Sequence, residues 1–154
     1  MIETVRYTYR LRPAAQAETA LLAEWGRCRW LWNEAVQQHR TGRSPTMCKL
    51  SKMLTEARGK HAWLRAGSQV AQQQMLRTYM TAHDRAFKVK GCGRPTLKKL
   101  HKTLPSLEYT TRGLRLKDER LCLPGGVRIP VVWSRDLPSE PTSCRVYQDS
   151  LGDW

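Results

Sequence analysis

The chain has 154 residues, of which 40% are hydrophobic and 26% charged, and lysine plus arginine outnumber aspartate plus glutamate 27 to 13. This composition is too apolar and aromatic for a disordered tail, and no run of 18 apolar residues predicts a membrane helix. The net charge of +14 indicates an anionic partner, of which nucleic acid is the usual one. Since no apolar leader opens the sequence, we expect a cytoplasmic protein that does not contact a membrane.

The residue types that carry enzyme chemistry are scattered along the chain. Five cysteines and four histidines show no ligand spacing, which predicts reduced thiols and neither a metal nor another cofactor. Metal-dependent nucleases need several converging carboxylates, whereas the only adjacent acidic pair here is Asp118-Glu119. Phosphate-loop, zinc-protease and serine-hydrolase motifs do not occur in the sequence. We therefore expect a binding protein without catalytic residues, not an enzyme.

Residues 2–12 alternate between apolar and polar side chains, which predicts a half-buried strand that Pro13 ends. Three arginines share its polar face: Arg6, Arg10 and Arg12. Side chains two residues apart on a strand lie about 7 Å apart, so this row could follow a phosphate backbone. A solvated strand face explains the pattern equally well.

A change to three- and four-residue spacing predicts a helix from about residue 14 to residue 40, ended by Thr41-Gly42. Five residues form its apolar stripe: Leu21, Trp25, Cys28, Trp32 and Ala35. Arg27 and Arg29 lie off the stripe and are therefore candidates for nucleic-acid binding.

A second helix is expected to start at Ser44-Pro45 and to stop at Gly59. The predicted inward residues are Met47, Leu50, Leu54 and Ala57, and the predicted outward residues are Lys49, Lys52 and Arg58.

A third helix is predicted over about 69–88, with Ser68 as its N-cap, after an anchor at Trp63-Leu64. Its predicted buried stripe is Leu76, Met80, His83 and Phe87. Gln69 and Gln73 belong to a glutamine cluster near its start. Glutamines can read base edges in the major groove, although a polar helix face is the ordinary explanation.

The segment from Arg85 to Leu107, called the basic window below, carries seven lysines and arginines and no acidic residue. Its candidate binding residues are Arg94, Lys98, Lys99 and Lys102. Charge of one sign at this density is costly unless a polyanion lies against it, although a solvated linker would look the same.

Short β patterns follow the basic window: Leu107–Thr111, Leu114–Lys117, Arg120–Leu123, Val127–Trp133 and Ser143–Gln148. Together with the first strand they predict an α+β fold. We expect a small split β-barrel, formed by the first strand and the C-terminal strands. A three-helix, helix-turn-helix-like insertion would interrupt it.

Several sequence blocks occur in one order along the whole chain: Arg10-Leu11-Arg12-Pro13, Gly26-Arg27-Cys28-Arg29-Trp30-Leu31-Trp32-Asn33, Leu50-Ser51-Lys52, Trp63-Leu64, Ser68-Gln69-Val70, Gly93-Arg94-Pro95, Tyr109-Thr110 and Leu137-Pro138. In this order they resemble the N-terminal part of TnpB, the OrfB-type protein of bacterial insertion sequences, which is related to type V CRISPR effectors. The resemblance implies a wedge-like β-barrel over 1–12 and 103–154. It also implies a helical recognition domain over 13–102, with the basic window 85–107 as its hinge.

The resemblance further implies two partners, a guide RNA from the transposon end and double-stranded DNA. Residues near the family's DNA-reading surface would be Ser51, Gln69, Gln73, Thr110 and Thr111. Residues on its RNA- and backbone-facing side would be Arg6, Arg10, Arg12, Arg94, Lys98 and Lys99. TnpB proteins continue into a RuvC nuclease domain and a zinc finger, whereas this sequence stops at Trp154, so we expect binding without cleavage.

Two other interpretations stay open. The helices alone could form a DNA-binding repressor of the element, which would bind duplex without RNA. Alternatively, a separately encoded nuclease domain could complete the chain in trans. We also expect Trp133, Leu151 and Trp154 to expose apolar surface.

Overall fold

A computed structural model describes residues 4–39 and 45–154, and these residues form an α+β fold of four helices and six strands. The helices are α1 (Ala15–His39), α2 (Met47–Lys60), α3 (Ala62–Arg65) and α4 (Gln69–Lys88). The strands are β1 (Arg10–Leu11), β2 (Ser106–Thr110), β3 (Arg115–Lys117), β4 (Arg120–Leu123), β5 (Val127–Val132) and β6 (Ser143–Tyr147). The start of the predicted first strand, the expected helix end at Thr41-Gly42 and the expected start at Ser44 lie outside the described residues.

The first strand is shorter than its alternation predicts. Among residues 4–12, the strand register with β5 covers Arg10 and Leu11, and Tyr7 and Tyr9 keep the half-buried side of the pattern. Arg10 lies opposite Val132, the last residue of β5, so β5 offers no pairing partner to residues 4–9. Tyr9 instead packs edge-on against Trp133 with ring centroids 5.1 Å apart.

Helices α1 and α2 follow their predicted stripes closely. Every residue of the α1 stripe is buried, and α2 buries Leu50, Leu54 and Ala57. Thr46 caps α2, since its Oγ1 accepts a hydrogen bond from the backbone N of Lys49 at 3.2 Å. The prediction that Gly59 ends α2 was wrong, because Lys60 is still helical.

Helix α4 has the predicted bounds and the predicted cap. The Ser68 Oγ accepts from the backbone N of Ala71 at 3.3 Å. Its predicted buried stripe is confirmed at Leu76 and wrong at the other three positions: Phe87 is 63% exposed, and Met80 and His83 are only half-buried. The buried residues of α4 are Ala71, Gln72, Met75, Leu76 and Tyr79. They lie in its first three turns, where α1, α2 and β2 pack against it.

The strands form two antiparallel sheets, one in the order β1-β5-β4-β3 and the other pairing β2 with β6. The first strand thus joins the returning strands, as expected, but the strands do not close and the expected split barrel is not confirmed. Asp118 and Glu119 both have positive φ, 53° and 61°, and form the two-residue turn of the β3–β4 hairpin.

One hydrophobic core joins the helices to both sheets. The β2–β6 sheet contributes Leu107, Tyr109 and Val146, and the other sheet contributes Leu121, Leu123 and Ile129. The C-terminal Trp154 also belongs to this core: it is 7% exposed, and its backbone oxygen accepts from the backbone N of Leu11 at 3.0 Å. The expected exposure was therefore wrong for Trp154 and right for Leu151, which is 85% exposed. Trp133 is half-buried.

Candidate nucleic-acid interface

Side chains of helix α1 hold the basic window in place through hydrogen bonds to the backbone of the window. The indole Nε1 of Trp32 donates to the carbonyl of Thr96 at 2.7 Å. Asn33 makes two bonds to Lys98: its Oδ1 accepts from the backbone N at 2.8 Å, and its Nδ2 donates to the carbonyl at 3.2 Å. A solvated linker has no such fixed course, so the docked segment is part of the folded structure.

Two cations of the basic window lie over aromatic rings. The Nζ of Lys98 is 4.2 Å from the centroid of Trp32, and the guanidinium carbon of Arg94 is 5.3 Å from that of Phe87. Burial lowers the pKa of Lys98. Arg94 itself is exposed, and so are the other two predicted cations of the window, Lys99 and Lys102. The docked backbone therefore presents most of its predicted cations to solvent.

The two candidate arginines of α1 serve contacts inside the fold. Arg29 donates from Nη1 to the carbonyl of Lys98 at 3.5 Å. Arg27 donates from Nε to the carbonyl of Trp63 and from Nη1 to Glu24, both at 2.9 Å, and its side chain is 16% exposed. Sequence spacing places both arginines off the apolar stripe, but it cannot show that neighbouring segments cover them.

The carboxylate of Glu24 is the centre of a buried polar network. Glu24 is 5% exposed and accepts from the backbone N of Ser68 at 3.0 Å and from Nε2 of Gln72 at 3.4 Å, as well as from Arg27. Burial raises the pKa of Glu24, and the bonds from Arg27 oppose that rise. The network fixes the start of α4 against α1.

Helix α2 joins this network through Arg58. Its Nη1 donates to Oε1 of Gln72 at 2.7 Å and to the carbonyl of Leu64 at 3.1 Å. The prediction that Arg58 points outward was wrong, because the α3 segment folds back over the end of α2 and supplies carbonyl acceptors there. Lys49 and Lys52 of the same helix are exposed, as predicted.

The residues expected near a DNA-reading surface surround the start of α4. The Nε2 of Gln73 donates to Oγ of Ser51 at 2.9 Å, which joins α4 to α2. Val70 packs against Gly113, where an added Cβ would lie 3.1 Å from Val70 Cγ1. This contact brings the turn after β2 to the same helix end. We call the group the helix-turn surface: Ser51, Gln69, Gln73, Thr110 and Thr111.

The three arginines of the first strand lie at the edge of the four-stranded sheet. Arg6, Arg10 and Arg12 are all exposed. Arg10 forms an ion pair with Asp153 at 2.8 Å, and both side chains are about half exposed. Exposed pairs of this kind contribute little stability, so a phosphate could compete for Arg10.

The solvent face of this sheet carries further cations that are not among the candidate residues predicted from the sequence. The strand register places Cys122 opposite both Arg115 and Arg128, and Lys117 opposite Arg120. Paired residues share a face, and the four basic residues are all exposed. We call this group the outer sheet face: Arg115, Lys117, Arg120 and Arg128. The alternation of leucine or isoleucine with arginine or lysine in β3, β4 and β5 was a usable signal for it.

No model of a known protein family matches this chain, and no curated protein sequence matches it. Among residues 4–39 and 45–154, no helix is long and apolar enough to span a membrane. The same part of the chain holds no group of three or more histidine, cysteine, aspartate or glutamate side chains placed to bind a metal ion.

Proposed function

We propose that this chain binds nucleic acid as the N-terminal part of a TnpB-like, RNA-guided transposon protein, without cutting it. The observation that carries the proposal is the basic window, whose backbone is docked on α1 while Arg94, Lys99 and Lys102 face solvent. Ordered cations of one sign repel one another in the folded state, and a phosphate backbone relieves that repulsion. The TnpB-like family in this proposal is inferred from the order of the sequence blocks along the chain.

In this proposal, guide RNA contacts the basic window and the arginines of the first strand. The helix-turn surface faces the DNA motif beside the target. That surface combines hydroxyl and amide groups, which are the groups that hydrogen-bond to base edges. The pairing of β1 with β5 supports a wedge-like unit built from both ends of the chain.

The test is fluorescence anisotropy with a single-stranded RNA from the transposon end and with duplex DNA, each at 50 and 200 mM salt. We expect affinity for RNA to fall steeply with salt, because each phosphate contact adds about −0.7 to the logarithmic slope for single strands. Lys99→Gln combined with Lys102→Gln should flatten the slope by about 1 to 1.5. Lys60→Gln, at an exposed position on α2, is the control and should leave the slope unchanged. Equal affinity at both salt concentrations, or none at either, would contradict the proposal.

A second candidate function is a duplex-binding regulator that reads DNA through the helices. The exposure of Gln69 in the first turn of α4 favours it, because recognition helices contact base edges with their N-terminal residues. Specific duplex binding without RNA, weakened by about tenfold in Gln69→Ala, supports this function. Duplex binding that is equal for unrelated sequences contradicts it.

A further inference from the structure

The outer sheet face contains a cavity of about 210 Å³ between β3, β4 and β5. Five residues line it: Lys117, Asp118, Arg120, Cys122 and Arg128. Three strands thus place three cations around a single depression, and the β3–β4 turn adds the carboxylate of Asp118. None of the residues assigned from the sequence lies in it.

The cations of this cavity lack ion-pair partners within the described residues. Lys117 and Arg120 are directly opposite each other across β3 and β4, an arrangement that destabilises a sheet when both residues carry the same charge. Arg128 adds a third positive charge from β5, two residues away from the partner position of Arg120. An anion in the cavity would remove this repulsion.

The charge and size of the cavity indicate which kind of anion it can bind. The three cations and the carboxylate of Asp118 give the lining a formal charge of +2. A phosphate monoester carries about −1.5 to −2 at pH 7, whereas an internal phosphodiester carries one charge. The cavity is an open depression of about 210 Å³, which gives room for a phosphate group. A continuous strand would need a longer groove.

We infer that the cavity on the outer sheet face binds a phosphate monoester, namely the terminal phosphate of a bound nucleic-acid strand. This inference rests on the proposed function for the strand and adds a site that distinguishes a phosphorylated end from a hydroxyl end. Arg120 and Arg128 donate charge-assisted hydrogen bonds to the terminal oxygens, and Lys117 supplies a third positive charge.

The first experiment measures the affinity of RNA strands of one sequence that end in a 5′-phosphate, a 3′-phosphate or hydroxyls only. The hydroxyl strand is one nucleotide longer, so that it carries an extra backbone charge. We expect one phosphorylated end to bind about tenfold more tightly than the hydroxyl strand, the amount that one additional charge-assisted contact supplies. The two phosphorylated strands distinguish which end occupies the cavity.

Two variants locate the effect. Arg120→Gln removes a cavity cation and should abolish the preference for the phosphorylated end. Arg115→Gln removes the same charge from the same sheet face outside the cavity, so both affinities should fall while their ratio stays near ten. Equal affinities for all three strands would overturn the inference and leave the proposed function intact. Absence of binding by every strand would overturn the proposed function.

The second experiment tests the cavity without nucleic acid. Cys122 lines the cavity, whereas Cys48 is exposed on α2. Iodoacetamide alkylates both thiols, and peptide mass spectrometry separates their rates. Inorganic phosphate should slow alkylation of Cys122 and leave that of Cys48 unchanged, whereas chloride at equal ionic strength should slow neither. Unchanged alkylation of Cys122 in phosphate would overturn the inference, and protection lost in Arg120→Gln supports it.

Discussion

At Gly67 the absence of a side chain lets three polar groups meet. A Cβ added there would overlap the carboxylate of Glu24 and lie 2.6 Å from Cδ of Arg27 and 2.7 Å from Nε2 of Gln72. All three belong to the buried network that fixes the start of α4, so none of them can move without losing a hydrogen bond. At the residue scale, the position of the helix-turn surface therefore depends on one glycine and one buried carboxylate.

Gly67→Ala should destabilise the chain by about 2–3 kcal/mol, because the added methyl group overpacks this network. Gly59→Ala is the matched control: nothing lies within 4 Å of a Cβ there, and alanine favours the helix interior by about 0.5–1 kcal/mol. Urea unfolding should therefore give changes of opposite sign. A loss of stability of similar size in both variants would show that the network has no special role.

Glu24→Gln should destabilise the chain by about 1–3 kcal/mol, because an amide NH2 replaces one of the two carboxylate oxygens and leaves part of the network without its acceptor. Burial raises the folded-state pKa of Glu24 above its ordinary 4.5, so the folded chain holds this proton more tightly than the unfolded chain does. The stability that comes from this tighter proton binding is fully present below pH 4.5 and is lost as the pH rises through the folded-state pKa of Glu24. The stability advantage of the wild-type chain over Glu24→Gln should therefore be larger at pH 4 than at pH 7. If the stability advantage of the wild-type chain grew with pH, the raised pKa of Glu24 would be contradicted.

At the scale of elements, the most consequential contact is the docking of the basic window on α1. Its residues 93–99 form neither helix nor strand, so their course depends on the side chains of Trp32 and Asn33. A segment that is held by a few hydrogen bonds opens more readily than the packed core does. The presentation of the cations thus depends on side chains of a different element, chiefly Trp32 and Asn33.

Asn33→Ala should loosen the window around Lys98, because the two shorter of the three side-chain hydrogen bonds to the backbone of that residue are lost and the 3.5 Å bond from Arg29 stays. We expect a loss of about 1–2 kcal/mol in stability and faster trypsin cleavage after Lys98. Gln37→Ala, at an exposed position on the same helix, should leave the cleavage rate unchanged. Cleavage at equal rates in wild type and Asn33→Ala, followed by mass spectrometry, would show that the window is held by other contacts.

At the scale of the whole molecule, Trp154 contacts both β1 and α1. The backbone of Trp154 pairs with Leu11, and its indole Nε1 donates to Glu18 at 3.2 Å. Trp154 thereby joins β1 to the first turns of α1 and completes the core beside the four-stranded sheet.

Trp154→Ala should cost about 3–5 kcal/mol, the usual effect of removing a buried tryptophan side chain. Leu151→Ala, three residues earlier and 85% exposed, should change stability by less than about 0.5 kcal/mol. Thermal unfolding of both variants measures the difference. Equal melting temperatures for the two variants would show that Trp154 contributes no core packing.

Local patterns in the sequence predicted most of the elements. The bounds of α4, the cap at Ser68, the stripe of α1 and the positions of β2 to β6 follow from periodicity, capping and turn chemistry, which act within a few residues. The one-turn helix α3 and the shortened β1 were not predicted, and the length of β1 depends on β5, a partner distant in the sequence.

The basic window shows most clearly what the sequence determines and what the tertiary structure determines. Its charge is a property of the sequence, and with the net charge of +14 it predicts a polyanionic partner before any fold is known. Only the tertiary structure decides which cations face solvent. Arg27 and Arg58 are taken into a buried network, Lys98 lies on Trp32, and three strands gather Lys117, Arg120 and Arg128 around one cavity. Charge is summed along the chain, but its exposure depends on contacts between residues that lie far apart in the sequence.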